Sequence, residues 1–241
     1  IDFNIRAGNT LVGFTSLDEV RQTQEGTLGF GKDDVARIEE AATDTDRLFT
    51  LFRQQQTELG GTVTEADKEN LNSRLRKLTD ELDRFLAGEY GKKKEAAFEN
   101  WRKSHQPFHW FAEFHGILKA GGFDVIIGNP PYVEYKDVKE VYTLRGFETL
   151  PCGDLYAFCG ERAFHLLKPK GHLGLIVPIS IFGTDGFETL QRLALRVLDP
   201  MWVSFFANRP SQLFEGAQKR LTILLGRRFQ SQQSKIYTTR Y

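Results

Sequence analysis

From residue 123 onward, short apolar runs and helical periods take turns, and this alternation narrows the fold more than any other feature of the chain. The stretches "FDVIIG", "HLGLIVP", "VSFFAN" and "RLTILLGRRF" read as strands, and "SKIYTTRY" as a further candidate. Between them, "GDLYAFCGERAFHLLK" and "GFETLQRLALRVL" carry the three-and-four spacing of helices. Strands joined through helices ask for an α/β class, with a largely parallel sheet covered by helices on both faces.

The front of the chain has a different rhythm. "IDFNIRAGN" alternates like a strand through about Ala7, and residues 15 to 32 are polar and glycine-rich, which predicts a loop. From Asp33 the period becomes helical, with Val35, Ile38, Ala42, Leu48 and Phe52 on one stripe. After "ELGGTV", Thr64 and Asp67 offer an N-terminal cap to a second run. Its residues Leu71, Leu75, Leu78, Leu82 and Phe85 form an a/d seam. Two such helices around a Gly-Gly turn predict an antiparallel hairpin with a charged, mainly acidic outer face. "GEYGKKKEAAFENW" reads as a hinge, and "HQPFHWFAEFHGIL" as an amphipathic segment packed on the main body. The expected division is 1–32 as the start of a core, 33–104 as an inserted hairpin and 105–241 as the rest of the core.

Formal net charge is zero, so contact with nucleic acid has to come from local asymmetry. The end of the chain offers one. From Met201, the basic residues Arg209, Lys219, Arg220, Arg227, Arg228, Lys235 and Arg240 face only Glu215. Such a surface would meet phosphates and make binding salt-dependent. Cys152 and Cys159 form no zinc or redox pattern, which suits free thiols in a reducing, cytoplasmic compartment. No apolar run is long enough to span a bilayer. The chain opens on Ile1, inside what reads as a strand, which points to an excerpt of a longer polypeptide.

Two suggestive patterns fail on their chemistry. "GTLGFGKD" nearly spells a phosphate loop, but Asp33 stands where a hydroxyl should reach magnesium, and no apolar strand precedes it. His105 and His109 are one helical turn apart and His115 is near, yet Gln106 replaces the glutamate of a zinc-protease motif and no further ligand completes a set. Aromatic packing with polar tips accounts better for these histidines.

The strand "FDVIIG" ends in Asn129-Pro130-Pro131-Tyr132. Two prolines cannot continue a ladder, and they restrict the backbone to a rigid elbow. A conjugated amine, such as N6 of adenine, has its lone pair delocalised into the ring and attacks a methyl group only once that pair is localised. Acceptors aimed at its two N–H bonds favour the change: the side-chain oxygen of Asn129 and the carbonyl of Pro130, both held in place in advance. The ring of Tyr132 can stack on a flat base.

These residues resemble a known family. "FDVIIGNPPYV" looks like the catalytic motif of the S-adenosylmethionine-dependent amino-methyltransferases that modify DNA adenine at N6. "GDLYAFCGERAFHLLKPKGHLGLIVPISIF" is similar to the segment that follows the motif in these enzymes, and "LFEGAQKRLTILLGRR" to a later one in which a Phe precedes a strand. The resemblance implies a partial Rossmann-like methyltransferase sheet, and it implies that Phe214 sandwiches an extruded adenine opposite Tyr132. It also implies cofactor contacts at Asn9, in "IRAGNTLVG", and near Cys159. The family often has Asp where Asn9 stands. No metal is implied. The order of the segments and the long insertion look most like large fused restriction–modification enzymes, whose remaining parts would be partners of this chain, together with double-stranded DNA. The glycine-rich turn and acidic ribose ligand of such a fold would precede Ile1, so residues 1–241 alone are expected to hold the cofactor poorly and to be catalytically silent. The same elbow serves methyltransferases that act on a glutamine side chain of translation release factors. From a different class, the acidic hairpin could belong to a non-catalytic interaction module. Phe214, the insertion and the basic end favour the nucleobase.

Overall fold

The computed structural model describes residues 5–26, 32–57, 64–207, 212–214, 219–229 and 235–239. The chain divides into two compact units, Ile1–Ala120 and Gly121–Tyr241.

The first unit is helical. Helices α1 (Leu17–Gly26), α2 (Lys32–Thr57), α3 (Glu65–Glu89), α4 (Glu95–His105), α5 (Trp110–Glu113) and α6 (His115–Lys119) follow one another. Thr64 caps α3 in a reciprocal box with Asp67, as the sequence suggests. Contacts between α2 and α3 run in opposite chain directions. Arg37 pairs with Glu81 near the start of α2, and Leu48 and Phe49 pack on Leu71 near its end. The two helices therefore form the expected antiparallel hairpin. Its seam is buried at Leu71, Leu78, Leu82 and Phe85, while Leu75 is partly covered. Each fully buried leucine of this kind contributes about 1.5–3 kcal/mol of transfer free energy.

Four expectations for this unit are corrected. The loop foreseen at 15–32 contains α1. Its signal is Ser16-x-x-Glu19: the Ser16 hydroxyl accepts the N–H of Glu19, whose carboxylate takes the N–H of Thr15 at 2.7 Å. Val20 then joins the core with Phe14, Ile38, Leu82 and Phe85. The hinge foreseen at 88–101 is only a short turn through Gly91, after which α4 begins at Glu95 and buries Phe98, Trp101 and His105. The segment 105–118 packs on the hairpin, through Phe111 and Ala112, and lies in the first unit. Ile5–Ala7 are not in a strand, and residues 1–4 lie outside the described residues. So do the Gly60-Gly61 turn and most of the Gly26–Asp33 stretch.

The second unit carries the sheet. Strands β1 (Phe123–Gly128), β2 (Leu167–Pro178), β3 (Leu198–Phe206), β4 (Leu221–Arg228) and β5 (Ile236–Thr238) lie in the order β1-β2-β4-β3-β5. Helix α7 (Leu155–Leu166) connects β1 to β2. The short α8 (Ser180–Gly183) and α9 (Glu188–Val197) connect β2 to β3. The class is α/β as read, and the sheet is largely parallel in sense: β1, β2, β3 and β5 run one way and β4 alone is reversed. β1 with β2 and β3 with β5 are parallel, whereas β4 is antiparallel to both β2 and β3. β4 returns through residues 207–220 without a helical crossover among the described residues, so it enters the sheet in the opposite sense.

On one face Leu173, Leu175, Val177, Met201, Val203 and Leu224 are buried, and α7 meets α9 where Gly160 opposes Leu190. On the other face a row of paired residues crosses all five strands: Ile127, Gly174, Leu225, Trp202 and Tyr237. Its four side chains are exposed, Ile127 by 80%. At the head of β1, Gly122 (φ 115°) is required, because a Cβ there would lie 2.4 Å from the carbonyl of Leu166. No helix among the described residues is long and apolar enough to cross a membrane.

Candidate active site at the elbow of β1

β1 delivers Asn129 to its carboxyl end, beside the second half of β2, where Gly128 pairs with Leu175. The chain leaves the sheet at the two prolines and the ring of Tyr132 folds back. The Tyr132 hydroxyl donates to the side-chain oxygen of Asn129 and also lies 3.1 Å from the carbonyl of Ile176 on β2. The phenol is half-buried, and burial raises its pKa, so it is a proton donor at neutral pH. Asn129 itself is exposed.

Beyond the elbow the backbone pairs with the entrance to α7. Tyr135 N–H donates to Gly153 O at 2.7 Å and Leu155 N–H to Val133 O at 2.9 Å, around a bridge between Glu134 and Asp154. The connection between these two points is pinned to α7. The buried carboxylate of Glu161 accepts the N–H groups of Glu148 and Thr149, both at 2.9 Å, and the Thr149 hydroxyl at 2.6 Å. Phe158 meets the rings of Tyr135 and Phe147, and the guanidinium of Arg162 lies 5.0 Å from the Phe147 centroid.

Two side chains that motif reading does not single out for the elbow complete its surroundings. Tyr156 is buried, meets the Tyr132 ring edge-on at 6.3 Å, stacks on Phe187 at 5.3 Å and shares a hydrogen bond with Ser180 at 2.8 Å. Lys219 donates from Nζ to the carbonyl of Tyr132 at 3.2 Å, 6.0 Å from its ring centroid. Tyr156 sits in "GDLYAF", two residues after the Asp154 that begins α7, so its position follows from the same helix start. The contact of Lys219 spans 87 residues of chain and has no local signal. Burial foremost, and then Glu134, raise the pKa of Asp154, against the opposing effect of Lys219.

The other expected site residues fall as follows. Phe214 is exposed on the connection between β3 and β4, at the same end of the sheet as the elbow, because Phe206 pairs with Leu221 and Leu221 with Pro178. Cys159 lies on α7, and burial pushes its thiol up to about 11, so it is neutral at physiological pH. Asn9 belongs to the first unit. Its N–H donates to Gln106 O at 2.7 Å, and its side-chain oxygen accepts from Leu11 N–H at 3.2 Å. Among the described residues no group of histidines, cysteines and carboxylates could hold a metal ion. The three histidines pack against aromatic rings: His105 on Trp101, His109 on Phe14 and His115 edge-on to Phe111. His109 also bonds Asp83 at 3.0 Å and accepts the N–H of Phe14 at 3.1 Å, which ties residues 12–15 to α3.

The basic end is corrected by the direction of β4. Lys219 and Arg220 precede Leu221 at the elbow end of the sheet. Arg227 and Arg228 stand at the other end, opposite His172 and Leu198, and Lys235 bonds Asp199 there. Arg209 and Arg240 lie outside the described residues. The described cations thus form no single surface.

Residues 34–209 match the family of Eco57I restriction-modification methylases. The chain belongs to this family. It is 40% identical over 130 residues to a Methanocaldococcus jannaschii protein inferred to be a type II restriction enzyme and methyltransferase, covering 54% of this chain and 11% of that one. The chain therefore spans about a tenth of that relative's length. Solved structures similar to it include a DrdV–DNA complex, with 16% identity, a TM-score of 0.41 and coverage of 69% of this chain and 20% of that one. A nuclease-deletion mutant of the Type ISP restriction-modification enzyme LlaGI, in complex with a DNA substrate mimic, has 12% identity, a TM-score of 0.41 and coverage of 81% and 23%.

Proposed function

We propose that this chain is the acceptor-binding part of a DNA methyltransferase in a restriction–modification enzyme, and that its acceptor is N6 of an adenine extruded from the duplex. One observation carries this reading: a carboxamide oxygen held at the carboxyl end of β1 by the hydroxyl of a neighbouring, partly exposed aromatic ring. A flat base lying on Tyr132 brings its exocyclic amine toward Asn129 and the Pro130 carbonyl. Asn129 and Pro130 accept the two N–H bonds, and they hold them more strongly as positive charge grows on nitrogen. No strong general base is required, because the methylated amine is acidic enough to lose its proton to water. Extrusion is needed because the amine of a paired base is stacked and hydrogen-bonded, and Phe214 is proposed to cover the second face of the base.

S-adenosylmethionine, when bound, supplies a sulfonium methyl whose bond to sulfur breaks as the bond to N6 forms. Within the second unit, Cys159, kept neutral by burial, is proposed to give that cofactor an apolar wall. The contact to the cofactor's ribose is proposed to come from the rest of the parent polypeptide.

The deciding experiment incubates the full-length enzyme with methyl-labelled cofactor and either duplex DNA or a glutamine-bearing protein acceptor, followed by nucleoside analysis. Label recovered as N6-methyladenine supports the reading. Label on protein, or on another base, overturns it.

A further inference from the structure

The sheet sorts the cations of the last third of the chain. β4 runs antiparallel to β2, so Leu221 lies against Pro178 at the elbow end while Arg227 lies against His172 at the far end. Of the described cations after Met201, only Lys219 and Arg220 reach the elbow. Arg220 meets α8 through its backbone, its carbonyl accepting Ile179 N–H at 3.0 Å. Lys219 instead bonds the elbow itself, 3.2 Å from the carbonyl of Tyr132 and over its ring, 6.0 Å from the centroid.

An ammonium has three N–H groups, and the carbonyl takes one of them. Asp154 lies within electrostatic reach of Lys219, and Glu134 is paired with Lys136. Lys219 is exposed on a flexible stem, so it can turn toward an anion without leaving the elbow. A base drawn out of a duplex carries its phosphodiester with it, so a flanking phosphate comes to the rim of whatever pocket receives the base. Adenine is neutral. The anion that a point charge beside the stacking ring would meet is that phosphate.

We propose that Lys219 contacts a backbone phosphate flanking the extruded nucleotide and so couples capture of the strand to placement of the base on Tyr132. This rests on the reading that the acceptor is a base in DNA, and it assigns to one residue the contact that a count of basic residues would spread over the whole chain end.

The test uses the full-length enzyme and an oligonucleotide duplex containing its site, with Lys219→Ala, Lys219→Arg and, for comparison, Arg227→Ala at the far end of the sheet. One lost phosphate contact lowers the slope of log K against log salt by about 0.9. Lys219→Ala is expected to show that drop, Lys219→Arg to restore most of the slope, and Arg227→Ala to leave it unchanged. Replacing one flanking phosphate with a neutral methylphosphonate should weaken the wild type several-fold and Lys219→Ala no further. An unchanged slope in Lys219→Ala, or equal methylphosphonate penalties in both proteins, would overturn the assignment. So would a loss of kcat at saturating DNA with the slope intact, because Lys219 would then only brace the elbow. If the wild type methylates DNA but shows no coupling, this inference alone falls. If it methylates none, the proposed function falls and takes this inference with it.

Discussion

Tyr132 donates its hydroxyl to the side-chain oxygen of Asn129, three residues earlier in the chain. The same hydroxyl is within 3.1 Å of the carbonyl of Ile176. A phenol has one proton, so the two acceptors share it. An amine that claims Asn129 pushes that proton onto Ile176 and leaves no buried group unpaired. In the proposed reaction the ring would stay anchored to β2 while the amide turns to the amine.

Tyr132→Phe should therefore keep stacking and lose only the orientation of Asn129. Single-turnover methylation is expected to slow several-fold, in line with about 0.5–1.5 kcal/mol for one hydrogen bond. Tyr132→Ala should additionally lose about 1–3 kcal/mol of base binding. Fluorescence of 2-aminopurine at the target position separates the two effects. Equal binding losses in both variants would show that the hydroxyl, and not the ring, carries the interaction.

Asn129→Ala removes a preorganised acceptor from the amine. The full-length enzyme is expected to lose about 10²–10³ in methyl-transfer rate, with DNA affinity nearly unchanged because phosphate contacts dominate it. Full methylation by this variant would sink the assignment of Asn129.

Glu161→Ala leaves two backbone N–H groups and one hydroxyl in the interior without their acceptor. At about 1–3 kcal/mol for each unpaired group, partly relieved by water, a loss of several kcal/mol is expected in urea unfolding. Early proteolytic cleavage between residues 136 and 149 should accompany it. Glu161→Gln keeps one acceptor oxygen and should fall between the two.

Acid should weaken the first unit before carboxylate protonation begins. Burial holds the pKa values of His105 and His115 below the ordinary histidine value. The unfolded chain then binds more protons than the folded one as pH falls through the ordinary value toward the folded ones, so stability is full above that window and declines within it. Urea midpoints measured from pH 8 to pH 5 should fall, and His115→Gln should flatten the curve. A midpoint rising toward pH 5 would show that the histidines are charged in the fold.

Much of this molecule is written locally. The seam from Leu71 to Phe85, the cap at Thr64 and the elbow at Asn129 each depend on residues within a few turns of one another, and each stands where its spacing puts it. What could not be read is long-range. No spacing rule says that Leu221 will lie against Pro178, or that Lys219 will reach Tyr132 across 87 residues. A linear count groups Lys219 with Arg228, yet strand direction sends them to opposite ends of the sheet. α1 is an intermediate case: its Ser16-x-x-Glu19 signal is local, but the polar composition around it masks a helix with few apolar anchors.

The central position of β4 has a consequence for how the protein is made. β2 and β3 flank a gap in the sheet that only residues 221–228 fill. A ribosome releases the amino-terminal strands first, so β2 and β3 emerge with their inner edges unpaired and must wait for the segment that joins them. Until then the elbow has no finished sheet behind it, and Lys219 has not yet arrived. Formation of the candidate site thus waits for residues 219–228, and a nascent chain halted before Leu221 offers a chaperone two open strand edges at once.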